Sequence, residues 1–185
     1  ETEQNTPYHC FTVGEHILHS LLYVEADKVL RLTMLLHDIA KPVMKTTDEN
    51  GRDHFKRHAA VGEEMSKKIL RRLKFDNDTI EKVSRLIRYH DDRPEGQMRA
   101  VRRAMNRIGE ELFPLYLEVQ KADMLAQSEY RREEKSARLK GVAECYHKVV
   151  EEKQCVSLKT LAVTGRDLIQ AGYKPGPELG EVLKE

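Results

Sequence analysis

The chain has 185 residues, of which 39% are hydrophobic, 34% charged and 6% aromatic, with no Trp and a formal net charge of +1. That length fits one domain with at most a small appendage, and it buries a core without covalent staples. No apolar run reaches spanning length and the opening residues lack a signal-peptide layout, so neither membrane insertion nor secretion is indicated and the cytoplasm is the expected compartment.

Helical periodicity dominates, and no run alternates as a strand. The apolar spacing predicts helices over 13–26, 28–39 and 59–73. Asp76 to Asp78 offer caps for a helix over 79–90, which the Arg93-Pro-Glu-Gly96 stretch ends. Further helices are predicted over 97–108, 111–127 and 129–154. Thr164-Gly-Arg-Asp167 resembles a capping box with Asp in place of the usual Glu, opening a short helix that Gly172 stops. A last helix begins after Pro177 and runs off the end, and the chain opens on Glu1 without an initiator Met, so it reads as a piece of a longer protein. The expected organisation is a main helical domain over 1–155 and a short, truncated helical appendage over 156–185. Cys10, Cys145 and Cys155 form an odd set without C-x-x-C spacing, the pattern of free thiols in a reducing compartment.

Positive charge is clustered despite the near-neutral total. Lys67, Lys68, Arg71 and Arg72 fall in one run, and Arg99, Arg103 and Arg107, four apart, share a helix face. Such faces either meet phosphates or are simply solvated, since Lys and Arg are ordinary residues on exposed helices.

The chemistry-bearing residues stand where core residues belong. Ile80, Val83, Ile87 and His90 follow helical steps, so the imidazole continues an apolar stripe. His58 opens a row through Val61, Met65, Ile69 and Leu73; Asp123 extends Leu112, Tyr116 and Val119; His37 extends Leu30 and Met34; His16 sits beside Val13, Ile17 and Leu21. One such histidine is usually a hydrogen-bonded core residue. An ordered series, each helix delivering one imidazole or carboxylate, is instead the pattern of an open catalytic metal site built from several elements.

The series His16, His37-Asp38, His58, His90, Asp123 resembles that of the HD-domain phosphohydrolase superfamily. Leu35-Leu-His-Asp-Ile-Ala-Lys-Pro42 resembles the central motif of that superfamily, His58-Ala-Ala-Val-Gly-Glu63 its following histidine segment, and Lys121-Ala-Asp-Met124 its last aspartate. The resemblance implies an all-α helical bundle with a metal site between helices. It implies a principal divalent cation on His16, His37, Asp38 and Asp123, with His58 and His90 serving a second metal or the substrate phosphate. A narrower resemblance covers nearly the whole chain: Thr6-Pro-Tyr-His-Cys-Phe-Thr-Val-Gly-Glu-His16 and the string from Thr164 to Gly180 are similar to segments flanking the HD region of CCA-adding tRNA nucleotidyltransferases. Two departures stand out. The nucleotide-transfer head, with its glycine-rich strand and paired aspartates, is absent from these residues, and Arg57 stands where many relatives have Gly.

Mixed imidazole and carboxylate ligands suit Mn, Ni, Co, Mg, Fe or Zn. The implied reaction is hydrolysis of a nucleotide phosphomonoester or a phosphodiester, including 2',3'-cyclic phosphates, with Asp38 as the expected general base and Asp91 or Asp92 as candidates to share that task. Lys41 offers an ammonium to a phosphate oxygen or simply complements a helix C-terminus. The competing expectation is a tRNA-binding portion of a nucleotidyltransferase, using the basic faces named above, without competence for nucleotidyl transfer alone.

Overall fold

The computed structural model describes residues 1–152, 154, 156 and 165–176. Its fold is all-α apart from one small hairpin, in the order α1 (Val13–Ser20), a 3₁₀ turn (Leu21–Tyr23), α2 (Lys28–Leu36), α3 (Lys41–Met44), β1 (Thr46–Thr47), β2 (Asp53–His54), α4 (His58–Arg72), α5 (Asn77–Tyr89), α6 (Met98–Ile108), α7 (Phe113–Leu125), α8 (Arg132–Glu151) and α9 (Gly165–Gln170). No helix among the described residues is long and apolar enough to cross a membrane.

Local chemistry sets the helix starts. Thr12 and Glu15 form a reciprocal capping box at α1, the Asp27 side chain accepts from Leu30 N at 2.8 Å, and the Asp76 side chain accepts from Thr79 N at 2.8 Å. The ends depart from the periodicity. α1 stops at Ser20 instead of Ala26, because its stripe runs out into exposed Leu22 and the chain straightens at Val24 before Asp27 caps the next helix. α2 stops at Leu36 instead of Ile39; Asp38 to Ala40 turn, and Pro42, which lacks an N–H, fits the first turn of α3. α7 begins at Phe113 and α8 at Arg132, two and three residues later than predicted, each after a residue without a side-chain cap. α8 also ends earlier, at Glu151.

The β1–β2 hairpin pairs Thr46 with His54 and Thr47 with Asp53 around a turn containing Gly51 at φ 74°. Two-residue strands are too short to show an alternation, which is why the sequence reads as loop there. The Thr164 cap, Cys155 and the helix after Pro177 lie outside the described residues; α9 does start at Gly165, and Gly172 follows it at φ 100°.

Three apolar clusters fix the helices around the site. Leu86, Val101, Met105, Ile108, Phe113, Tyr116, Val142 and Val149 join α5, α6, α7 and α8. Leu36, Leu70, Ile80, Val83 and Ile87 join α2, α4 and α5, while Leu30, Met34, Val119 and Ala122 join α2 and α7. α4 packs by a face offset from the row its apolar residues predict, with Ile69 still against the core. Its buried positions are His58, Gly62, Ser66 and Leu70, whereas Leu73 is 58% exposed. Small residues let α4 approach closely: a Cβ on Gly62 would lie 3.3 Å from Ile87 Cγ2 and 3.6 Å from the His37 carbonyl oxygen.

Candidate metal centre

The six candidate residues converge on one buried point, each 7% exposed or less. They come from helix interiors in only two cases, His16 in α1 and Asp123 in α7. His37 and His90 are the residues capping the C-termini of α2 and α5, Asp38 lies in the turn after α2, and His58 is the first residue of α4 behind Arg57 in a left-handed conformation (φ 67°).

Four imidazoles are oriented alike. His37 Nδ1 lies 2.7 Å from Met34 O, His58 Nδ1 2.7 Å from Phe55 O and His90 Nδ1 2.7 Å from Ile87 O, in each case a carbonyl three residues earlier; His16 Nδ1 lies 3.2 Å from Ala126 O. A carbonyl only accepts, so Nδ1 carries a proton in all four and each Nε2 faces inward, where it can hold a further proton or a cation. This is the arrangement that fixes histidine tautomers around metals.

The inward atoms form two adjoining groups. His16 Nε2 lies 3.2 Å from His37 Nε2 and 3.0 Å from Asp123 Oδ1, with Asp38 Oδ2 3.6 Å from the former and 3.4 Å from His37 Nε2. On the other side His58 Nε2 and His90 Nε2 are 3.1 Å apart, and Asp38 Oδ1 is 3.4 Å from one and 3.5 Å from the other. Acceptors this close repel unless a proton or a cation sits among them. Both oxygens of Asp38 are buried and accept no well-directed hydrogen bond, although Lys41 Nζ is 2.7 Å from Oδ2. The trios His16, His37, Asp38 and Asp38, His58, His90 each have ligand atoms close enough to hold one ion, with Asp38 common to both. The donor set of imidazole nitrogens and carboxylate oxygens could hold a divalent cation.

Electrostatics show the same crowding. Burial opposes ionisation of Asp38 and Asp123, yet Lys41 and His37 around the first, and His16 and His37 around the second, hold both carboxyls well below the usual range. Burial likewise opposes a charged His37, but Asp38 and Asp123 outweigh it and lift its pKa to about 10. A cation entering here displaces that proton, so uptake weakens as pH falls.

The site opens into a cleft of about 360 Å³ lined by Asp38, Lys41, His58, His90 and Asp123. Lys41 is only 6% exposed and its ammonium also donates to Gln4 Oε1 at 2.8 Å, so it is a buried cation lining the cleft and not a surface one. Asp91 lines the cleft and pairs with Arg93 at 2.9 Å; Asp92 instead pairs with Arg107 at 2.9 Å and its carbonyl accepts from Tyr116.

His9 is a site residue that periodicity could not reveal, because it precedes α1 in irregular chain. Its ring packs edge-on to His16 at 5.0 Å, Nε2 lies 3.4 Å from Lys41 Nζ, and Nδ1 is buried without a partner. Burial, then Lys41 and His16, push its pKa down to about 3, so it is a neutral imidazole at the cleft.

The predicted basic faces lie apart from this cleft's lining. Lys67 pairs with Glu63 at 2.7 Å and Glu64 at 3.0 Å, while Lys68, Arg71, Arg72, Arg99 and Arg103 are exposed. Among the described residues, Cys10 and Cys145 are free.

Residues 55–185 match the family described as tRNA nucleotidyltransferase domain 2. The chain is 31% identical over 182 residues, 95% of its length, to a CC-adding tRNA nucleotidyltransferase of Thermus thermophilus, and 32% identical over 189 residues, 96% of its length, to an A-adding tRNA nucleotidyltransferase of Deinococcus radiodurans. It covers 40% and 42% of those proteins. A 25-residue stretch is 72% identical to part of a CCA-adding enzyme of Levilactobacillus brevis, covering 14% of this chain and 6% of that protein. The match over most of its length places this chain in the tRNA nucleotidyltransferase family, as a member of its second-domain group.

Proposed function

We propose that this chain is the tRNA-handling helical portion of a CCA-adding type of tRNA nucleotidyltransferase, and that it carries a metal-dependent phosphohydrolase centre of its own. The first part is supported by the family match over residues 55–185 and by two relatives whose names specify CC and A addition. The basic faces of α4 and α6 are the candidate tRNA contacts, through Lys68, Arg71 and Arg72 on one and Arg99, Arg103 and Arg107 on the other. Nucleotidyl transfer needs carboxylates that align two metals, a triphosphate and a primer end. Asp38 and Asp123 sit among imidazoles instead, an arrangement suited to activating water. Purified chain is therefore expected to retard tRNA in a gel without adding CMP or AMP to tRNA lacking its CCA end. CCA addition by this chain alone, or failure to bind tRNA at low salt, would overturn this part.

The second part rests on one observation: Asp38 is buried with both oxygens unsatisfied between two pairs of inward-facing imidazoles. A bound divalent cation would lower the pKa of water and draw charge from phosphoryl oxygens. In the proposed site His16, His37, Asp38 and Asp123 would hold the principal ion, and His58 and His90, near the other oxygen of Asp38, would take a second ion or the substrate phosphate. The Lys41 ammonium, next to Asp38 in the cleft, would donate to a phosphate oxygen. Water attacks phosphorus, the P–O bond to the leaving group breaks, and the water's proton passes by way of Asp38 or Asp91 to the departing oxygen. This geometry favours the HD-type reading of the motif series. A screen of phosphomonoesters and 2',3'-cyclic phosphodiesters with Mn, Ni or Co tests it; hydrolysis abolished by Asp38→Ala is the expected result, and undiminished activity in that variant would refute it.

A further inference from the structure

We infer that the hydrolytic cleft is built to take the end of a single-stranded polynucleotide by its run of phosphates, and that it is indifferent to base identity. This rests on the phosphohydrolase reading and adds to it the class of substrate and the residues that select it.

The cleft lies at the small end of ligand pockets, so one terminal group fills it and the rest of a longer substrate must cross its mouth. That mouth is cationic. Arg52 from the hairpin, Lys56 and Arg57 from the segment leading into α4, and Arg93 beyond α5 all line it, and all four are exposed. Among the described residues, no carboxylate pairs with the side chains of Arg52, Lys56 or Arg57; Arg93 is paired with Asp91. The acidic residues of the same cleft are otherwise committed inside: Asp38 and Asp123 to the imidazoles, and Asp53 to Lys45 at 2.8 Å. A mononucleotide offers the mouth nothing once its phosphate is in the site, whereas a chain places further phosphates where these cations stand.

Base reading is disfavoured by the same geometry. Sequence-tolerant or base-specific readers stack nucleobases on aromatic faces. The Tyr and Phe rings that line this cleft already carry cations, Lys135 Nζ 5.0 Å and Arg52 Cζ 6.0 Å from the Tyr8 centroid and Lys41 Nζ 5.3 Å from that of Phe55; of the lining imidazoles, His54 is held by Asp48 at 2.8 Å, and His9, His58 and His90 pack against other histidines. Tyr8 is further engaged edge-on by Tyr130, at 5.2 Å. Phosphate tracking by Arg and Lys is the mode these residues leave available. This set is distinct from the α4 and α6 faces.

The test uses the full chain and a 5'-fluorescein pentaribonucleotide ending in a 3'-phosphate, followed by fluorescence anisotropy, with the 3'-mononucleotide as competitor. The pentamer is expected to bind at least about tenfold more tightly than the mononucleotide, with a log–log salt slope near −2 to −3 for three to four phosphate contacts. Arg52→Glu with Lys56→Glu should flatten that slope by about 1.4, and exchanging oligo-U for oligo-A should change affinity by less than about threefold. Equal binding of the mononucleotide, an unchanged slope in the double variant, or a strong base preference would each overturn the inference. Hydrolysis of the same pentamer with Mn is scored separately: binding as expected without hydrolysis rejects the phosphohydrolase reading alone, and hydrolysis with equal efficiency on both substrates rejects the inference alone.

Discussion

Replacing Lys41 by Met should destabilise the metal-free protein far more than a surface lysine substitution would. The ammonium is 6% exposed, lies 2.7 Å from Asp38 Oδ2 and is the nearest cation to a carboxylate whose oxygens find no other good partner. Met keeps the length and volume of the stem but removes the charge, leaving Asp38 buried with only the imidazoles around it. Breaking one side of a buried pair costs about 3–5 kcal/mol. For a chain of this size each kcal/mol moves Tm by about 2–4 °C, so the loss should be about 6–20 °C by thermal denaturation after treatment with chelator. A divalent cation bound there would supply Asp38 with the missing countercharge. Addition of Mn at about a hundredfold its dissociation constant stabilises a folded protein by about 2.7 kcal/mol, and the gain should be larger in the variant than in the parent, because the ion no longer competes with the ammonium. A metal-free Lys41→Met protein melting at or above the parent would refute this picture of the site's charge balance.

Reversing Arg99, Arg103 and Arg107 to Glu should weaken tRNA binding and flatten its salt dependence, with Arg107 contributing least because Asp92 already holds it at 2.9 Å; gel retardation across a salt series gives both quantities. Gly96→Ala should lower Tm by about 2–12 °C, since the new Cβ would lie 3.0 Å from the Gly141 carbonyl carbon, a backbone atom of α8 that cannot swing away, and overpacking costs about 1–3 kcal/mol. Asp53 gives a pH signature: its bond from Lys45, helped by Asn5 N and Thr47, depresses its folded pKa to about 2 against about 3.9 unfolded. That stabilisation is complete above about pH 5 and is lost as pH falls through the folded pKa toward about 1, so the difference in urea midpoint between parent and Asp53→Asn should shrink over that window and stay constant above it.

The site was legible in the sequence to a greater degree than the packing that holds it. His16, His37, His90 and Asp123 continue apolar stripes that are in fact buried, because a helix carries its pattern intact wherever it docks. The α4 stripe is offset for a physical reason: the buried face runs through Gly62 and Ser66, which hydrophobicity does not mark, so Val61, Met65 and Ile69 beside it are half-buried and Leu73 is exposed. Asp38 was recognisable as a ligand candidate, but not as the shared oxygen donor of two trios, since that depends on the turn between α2 and α3. His9 and the mouth cations Arg52, Lys56 and Arg93 sit in irregular chain, where spacing carries no geometric information; only tertiary structure brings them to the cleft.

Whether the convergence at Asp38 holds a metal decides what the cleft can do. Metal analysis of the purified chain after incubation with Mn, Ni or Co and removal of free ion measures this directly, with Asp38→Ala in parallel. The structure predicts that the parent retains divalent metal and that the variant, still folded by circular dichroism, loses it together with hydrolysis, because the carboxylate common to both trios is gone. A parent chain that remains metal-free after all three incubations would contradict the account.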